Sequence, residues 1–180
     1  HVLMNLLKVD GQPWLDGFIN YLNFKGSFVS RPISYLSFYI QKEQFSSDLS
    51  TFKIANVVLH SFNTLIVFFL SKKIAKDVQS RKPWLVAALC AIVWGLSPIQ
   101  VSSVLYITPR MSELSALFSF SALFLVVYSK SELNPKKQFC MLFFGASPLV
   151  VLGILCKENA ILTLLSILIL DFTIYARLPT

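Results

Sequence analysis

The sequence predicts an all-α fold, a polytopic membrane helical bundle with about five transmembrane helices, preceded by an extracytoplasmic loop with amphipathic helices. Composition is the first reason: 55% of the 180 residues are hydrophobic and 14% are charged, whereas a soluble domain has about 25% charged residues. The placement of the charges is the second reason. Four long runs contain no Asp, Glu, Lys or Arg, namely residues 54–71, 83–109, 114–129 and 138–156. A helix of roughly 20 apolar residues crosses the hydrocarbon core of a bilayer.

These runs define the predicted domain organisation. Residues 1–51 form the extracytoplasmic loop, and residues 52–180 form the transmembrane bundle. The predicted crossings are 52–71, 82–97, 111–129, 138–156 and 159–176. Within the fourth crossing, Pro148 predicts a kink, because proline removes a backbone donor and crowds the preceding turn.

The extracytoplasmic loop mixes turn signals with helical patterns. After the turn signal Asp10-Gly11, apolar residues recur at helical spacing from Trp14 to Leu22. A second helix is predicted to open at Arg31-Pro32 and to present four apolar residues, Tyr35, Leu36, Tyr39 and Ile40. We expect both helices to lie on the outer membrane surface. The alternative is a membrane-proximal linker that only contributes packing.

The basic residues predict the orientation of the bundle, because short cytoplasmic loops carry an excess of Lys and Arg. Residues 72–82 contain five basic residues and one acid, and residues 130–137 contain three basic residues and one acid. The intervening stretches, 97–110 and 156–159, carry one basic residue each. This alternation places 72–82 and 130–137 in the cytoplasm and the other two stretches on the extracytoplasmic side.

Three polar residues of the first crossing, Asn56, His60 and Asn63, share one helical face. Polar side chains in hydrocarbon turn toward neighbouring helices and form hydrogen bonds across them, which is the favoured interpretation here. The alternative is that His60 titrates within the membrane.

Several classes of site are absent from the sequence. The three cysteines have no metal-ligand or CxxC spacing, so we predict neither a zinc site nor a disulfide framework. No phosphate-binding loop, dinucleotide motif or hydrolase motif occurs. Although the net charge is +7, its concentration in predicted cytoplasmic loops argues against a nucleic-acid partner.

The remaining candidates are ionisable groups on the predicted extracytoplasmic side. Their acidic members are Asp10, Asp16, Glu113 and Glu158. Arg31, Arg110 and Lys157 supply three cations there, which suits a phosphate, because arginine offers a planar fork and lysine a compact charge. The alternative for each cation is that it extends to the lipid headgroups.

The string SPIQVSSVLYITPRMSELSALF, preceded by NVVLHSFNTLIVFFL and followed by CKENAILTLLSILILD, resembles a bacterial family of multi-pass membrane glycosyltransferases. This GT-C-like family is related to the tetratricopeptide-repeat O-mannosyltransferases. Its pattern reads His-Pro-x-His-x-Glu-Ala-Val, then Arg-x-Asp, and later Ser-Lys-Glu. Here Arg110, Lys157 and Glu158 match, as does Arg31 with the following proline. Four positions depart from the pattern: Ser97, Gln100, Ser102 and Ser112.

The resemblance implies transfer of a sugar from a polyprenyl-phosphate donor to a protein or glycan acceptor on the extracytoplasmic face of a bacterial inner membrane. Arg31, Arg110, Lys157 and Glu158 would bind the donor phosphate. The departures leave the acid–base groups open, and Asp10 and Asp16 are the candidate catalytic residues. No cofactor or metal-ligand set is predicted, although a divalent metal stays an open question. The alternative function is a non-catalytic membrane anchor or lipid-binding module of a larger repeat-containing protein.

The predicted orientation is testable with membrane-impermeant labelling of single cysteines in a cysteine-free background. We expect a cysteine at position 157 to react from outside intact cells and a cysteine at position 77 to react only after permeabilisation. The opposite pattern would invert the topology and remove the predicted site from the extracytoplasmic face.

Overall fold

The computed structural model describes residues 31–44, 49–100, 106 and 109–177. Within these ranges the chain is helical and contains no strand, so the predicted all-α bundle is confirmed. Its helices are α1 (Pro32–Gln44), α2 (Leu49–Asp77), α3 (Pro83–Gly95), α4 (Arg110–Ser129), α5 (Pro135–Cys156) and α6 (Leu162–Thr173). Two short 3₁₀ helices, Glu158–Ile161 and Tyr175–Arg177, follow α5 and α6.

Three of these helices, α2, α4 and α5, are long and apolar enough to cross a membrane. By contrast, α3 has 13 residues and α6 has 12, which reach only about 20 Å at 1.5 Å per residue. The chain is therefore a membrane protein. The number of five crossings stays a prediction, because the two shorter helices do not by themselves establish it.

Local sequence explains where α5 begins and where it deforms. The Asn134 side chain accepts a hydrogen bond from the Lys136 amide at 3.0 Å, and Pro135 occupies the first turn, where its missing N–H costs nothing. Directly before Pro148 the helix widens into a π-helical turn, Met141–Ala146. A π-helical turn is a local widening of the helix, and the kink predicted at Pro148 stays a prediction.

The helices pack in an order that makes α4 central. It lies against α2 on one side and α5 on the other, while α3 packs against α2. One end of the bundle, where α4 begins, is called the Arg110 end. The opposite end, where α2 finishes, is called the Lys73 end. At the Arg110 end, α1 packs against α4 and α5, and an apolar cluster of Phe38, Phe52 and Met111 joins three helices.

Several polar residues are buried where helices meet, beside small and aliphatic side chains, and the outside of the bundle is largely apolar. Asn56, Asn63 and Ser129 are fully buried, whereas many large hydrophobic side chains are exposed, among them Phe62, Leu89, Val93, Phe144 and Leu168. Because lipid is as apolar as leucine, hydrophobic side chains gain nothing by leaving it, and the helices associate through close packing and hydrogen bonds.

The helix that the sequence predicted to open at Arg31-Pro32 exists and begins at Pro32. It buries Ser34, Phe38 and Gln41 inside the bundle, while Ile40 of the predicted apolar face is 47% exposed. Its buried face follows the partners it meets, because the Ser34 hydroxyl donates to the Cys156 carbonyl at 3.0 Å. The earlier predicted helix around Trp14 lies outside the described residues.

Close approach of α4, α5 and the 3₁₀ helix makes Gly153 sensitive to substitution. A Cβ atom at this position would lie 3.1 Å from the Ala160 Cβ and 3.5 Å from the Phe118 Cβ. Both neighbours are fixed to the backbone, so Gly153→Ala has to part the helices. We expect it to lower the free energy of unfolding in detergent by about 1–3 kcal/mol.

Gly145→Ala is the matched control, since it lies in the same long helix. Its added Cβ would meet only the Leu125 Cδ1 at 3.0 Å, and that methyl group can rotate away. We expect a change within about 0.5 kcal/mol. Equal destabilisation by both variants would show that the Gly153 contact is not the tight one.

Candidate functional site

The prediction that Asn56, His60 and Asn63 face other helices is confirmed. The Asn56 side-chain amide donates to the Tyr106 carbonyl at 2.8 Å, and the Asn63 amide donates to the Glu113 carboxylate at 2.8 Å. His60 lies 3.0 Å from the Gly95 carbonyl oxygen through its Nε2. The polar face of α2 therefore forms a continuous seam with α3 and α4.

Arg110 is the first residue of α4 and lies at the Asn56 end of this seam. Its side chain is almost fully buried, with 2% of the residue exposed. The Nε atom donates to the Asn56 Oδ1 at 2.9 Å, and Nη2 donates to the Phe52 carbonyl at 3.1 Å. The guanidinium also lies over two aromatic rings, 4.7 Å from the Phe38 centroid and 5.3 Å from the Phe52 centroid.

No carboxylate in the described part of the chain forms an ion pair with Arg110; its partners are neutral oxygens and ring faces. Burying a cation without a counter-charge is costly unless hydrogen bonds and aromatic faces replace the lost water. Here two hydrogen bonds and two aromatic rings replace part of that water. The site therefore carries a positive charge that the surrounding residues hold in place but do not neutralise.

Lys157 reaches the first turn of the same helix. It lies in an extended conformation between α5 and the 3₁₀ helix, and its Nζ donates to the Ser112 Oγ at 2.7 Å. Ser112 stands where the resembled pattern has an aspartate. The position therefore still binds the lysine, but it does so without supplying a negative charge, and Lys157 has no carboxylate partner among the described residues.

Arg31 and Glu158 form an ion pair beside Lys157. The Arg31 guanidinium donates to both oxygens of the Glu158 carboxylate, at 2.8 and 3.2 Å, and to the Met111 sulfur at 3.4 Å. This bidentate contact lowers the pKa of Glu158 below its ordinary value, with the hydrogen bond from Arg31 as the largest cause. The pair ties the start of α1 to the chain that leaves α5.

The first turn of α4 thus brings three of the predicted cations into one region, each through a different residue. Arg110 turns toward α2, Arg31 contacts Met111, and Lys157 contacts Ser112. Because Arg110 and Ser112 are two residues apart on a helix, their contacts leave α4 in different directions. The candidate catalytic residues Asp10 and Asp16 lie outside the described residues.

Sequence reasoning missed the role of Glu113, which it placed among the ionisable groups of the extracytoplasmic side. Glu113 is buried, with 3% exposed, and binds Asn63 through both its carboxylate and its carbonyl oxygen. The sequence contained a signal for this burial. Glu113 follows Arg110 by three residues and so lies on the same helical face, the face that turns toward α2.

The chain is similar to a protein of Caenorhabditis elegans that is named a protein O-mannosyl-transferase. The two are 25% identical over 142 residues, which make up 79% of this chain and 19% of the relative. The chain thus spans less than a quarter of the length of that protein. No family model and no solved structure matches the chain. In general terms, the relative's name agrees with a membrane glycosyltransferase.

The Arg31–Glu158 pair predicts a shift that carboxyl NMR titration can follow. Replacing Arg31 with Gln removes the main stabilisation of the carboxylate, so the pKa of Glu158 should rise toward its ordinary value. In the unchanged protein this pair favours the folded state at neutral pH, and its contribution disappears as the pH falls through the lowered pKa.

The Lys137–Glu132 pair provides the control, because its hydrogen bond likewise lowers the pKa of Glu132. We expect Arg31→Gln to leave the titration of Glu132 unchanged and Lys137→Gln to raise its pKa. A Glu158 titration that does not respond to Arg31→Gln would contradict the assigned pair.

Proposed function

We propose that this chain is part of an integral membrane glycosyltransferase that moves a sugar from a polyprenyl-phosphate donor to a protein or glycan acceptor on the extracytoplasmic face. Arg110 and Lys157 bind the donor phosphate, and Arg31 assists by holding Glu158 beside Lys157. The observation that carries this proposal is the pair of sheltered cations at the start of α4, both of which form hydrogen bonds only to neutral oxygens among the described residues.

The charge arrangement favours an anionic ligand. Around the first turn of α4, Arg110 and Lys157 contribute two positive charges, and the Arg31–Glu158 pair is neutral as a whole. The acidic residue of this turn, Glu113, is bonded to Asn63 and to neither cation. The amino-terminal end of a helix adds a partial positive charge. A phosphate would supply the missing counter-charge and accept charge-assisted hydrogen bonds, which are about twice as strong as neutral ones.

The lipid part of the proposed donor suits a site in this position. The exposed residues of the neighbouring helices are large and apolar, and Tyr106 near Asn56 is 65% exposed. A polyprenyl chain would therefore meet hydrocarbon-facing side chains while its phosphate lies at the Arg110 end. Asp10 and Asp16 remain the proposed catalytic carboxylates.

The comparison with a protein O-mannosyl-transferase supports a sugar as the transferred group. The resemblance to bacterial sequences supports a bacterial inner membrane as the location. Since the chain spans 19% of the relative, we propose that it supplies the donor-binding part of the enzyme.

Binding of a polyprenyl phosphate to the protein in vesicles tests the proposal. Arg110→Lys keeps a charge but loses the planar fork, so it should lose about one charge-assisted hydrogen bond. Such a loss is worth about 1.5–3 kcal/mol, which corresponds to roughly tenfold weaker binding or more. Arg110→Glu should abolish binding, and Lys157→Gln should weaken it.

The matched control is Lys136→Gln, which removes an exposed lysine far along the chain near the start of α5 and should leave binding unchanged. Each variant is first checked for an unchanged unfolding midpoint. If a folded Arg110→Glu protein binds the polyprenyl phosphate as tightly as the unchanged protein does, the donor-site assignment is wrong. The non-catalytic membrane anchor then becomes the better account.

A further inference from the structure

One helical turn further into the seam from Arg110, the ring of His60 lies between α3 and α4. Its Nε2 is 3.0 Å from the Gly95 carbonyl oxygen, and its ring stacks on the Trp94 indole with the centroids 5.0 Å apart and the planes 18° apart. A carbonyl oxygen only accepts hydrogen bonds. Nε2 must therefore carry a hydrogen, which fixes one side of the imidazole.

The other ring nitrogen faces the buried carboxyl group of Glu113. The His60 Nδ1 lies 3.5 Å from the Glu113 Oε1, and Nδ1 has no other partner although it is buried. The second carboxyl oxygen, Oε2, accepts a hydrogen bond from the Asn63 amide at 2.8 Å. Between His60 and Glu113, the Nδ1 and Oε1 atoms are thus left to satisfy each other, while the Asn63 Oδ1 is a further buried oxygen without a partner among the described residues.

The number of protons between these two atoms decides whether the contact is attractive. With none, the Nδ1 lone pair would face a carboxylate whose nearest cation, Arg110, is bonded to Asn56 and Phe52 instead, and Nδ1 and Oε1 would both be unsatisfied. With two, a charged imidazolium would face a protonated acid, which adds a second positive charge close to Arg110. With one, the pair is neutral as a whole and its two facing atoms are joined.

We propose that His60 and Glu113 form an intramembrane proton-binding site that holds a single proton between Nδ1 and Oε1. This site lies beyond the proposed donor-phosphate site and does not depend on it. Its ligand is a proton, and its remaining shell consists of Asn63 from α2, Trp94 and Gly95 from α3.

The charged groups around the pair agree with a neutral, singly protonated state. On α4, the nearest one is Arg110, three residues before Glu113 and already bonded to Asn56 and Phe52. On α3, no residue from Pro83 to Gly95 is charged. On α2, the nearest charged residues along the chain are Lys53 and Lys72, of which Lys53 is exposed.

The protein is well suited to a direct count of this proton, because it contains only two histidines, His1 and His60. In a His1→Gln background, nitrogen NMR of labelled histidine reports on His60 alone. Infrared difference spectroscopy against Glu113→Gln reports whether the Glu113 carboxyl group is protonated. Near neutral pH we expect a protonated Nε2 and exactly one further proton, found either on Nδ1 or on the carboxyl group.

A count of zero, given by an unprotonated Nδ1 together with an ionised carboxylate, would overturn the site. A count of two would overturn it as well. His60→Gln provides a second test, because Glu113 then has to keep the proton by itself. We expect the carbonyl stretch of a protonated carboxyl group to appear in that variant and to vanish in the His60→Gln, Glu113→Gln double variant.

If His60→Gln does not fold, Glu113→Gln in the His1→Gln background keeps the site testable. The glutamine amide has nearly the shape of the carboxyl group but holds no exchangeable acid proton. We expect Nε2 to stay protonated and Nδ1 to be an unprotonated acceptor in this variant. If the Nδ1 signal does not differ from that of the Glu113-containing protein and the infrared difference shows no protonated carboxyl group in that protein either, the two groups share no proton.

Discussion

The buried guanidinium of Arg110 is the group around which the bundle is arranged. A cation in this position needs acceptors for its N–H groups and polarisable surfaces for its faces. Two helices provide them: α1 contributes the Phe38 ring, and α2 contributes the Phe52 ring and carbonyl together with the Asn56 side-chain oxygen. Asn56 in turn binds the Tyr106 carbonyl, so the chain between α3 and α4 is tied to the same centre.

Two kinds of helix contact hold α4 from opposite sides, and both are of the kind that lipid permits. Toward α2 the contact is a polar seam, in which Asn63 and His60 meet Glu113. Toward α5 it is a close approach of backbones at Gly153, where a small residue lets the helices meet. A hydrophobic side chain gains little by exchanging contact with lipid tails for contact with another helix. The specific pairing of these helices therefore comes from the hydrogen bonds and from complementary shape.

The parts of the site that the sequence predicted are those encoded within one helix. Asn56, His60 and Asn63 recur at helical spacing, so their shared face followed from the period alone. Arg110 was identified because it is a cation at the start of a long apolar run, which places it at one end of a predicted crossing.

What the sequence could not show is pairing between distant segments. Arg31 meets Glu158 across 127 positions in the chain, and no local pattern contains that contact. The burial of Ser34 and Gln41 instead of Ile40 likewise depends on where α1 meets its neighbours. Glu113 was assigned to the extracytoplasmic side for the same reason, because its partners Asn63 and His60 belong to another helix.

The two ends of the bundle differ in whether a carboxylate pairs with the buried cation, and this difference is relevant to the proposed function of the Arg110 end. At the Lys73 end, the sheltered ammonium of Lys73 pairs with Asp77, which also accepts a hydrogen bond from the Tyr175 hydroxyl at 2.8 Å. That cation is therefore neutralised from within the chain. At the Arg110 end, the more deeply buried Arg110 and the half-buried Lys157 receive only neutral oxygens from the described residues.

Desolvation makes an unneutralised cation expensive at either end, so local stability alone would favour a carboxylate beside Arg110 as well. A carboxylate is even available one turn away, but Glu113 is directed toward Asn63 and His60 instead. That an acid lies so near and yet does not bind the guanidinium is the reason for proposing that the counter-ion of Arg110 comes from outside the chain. A phosphate on a lipid is a counter-ion of the required charge that can reach this depth from the membrane.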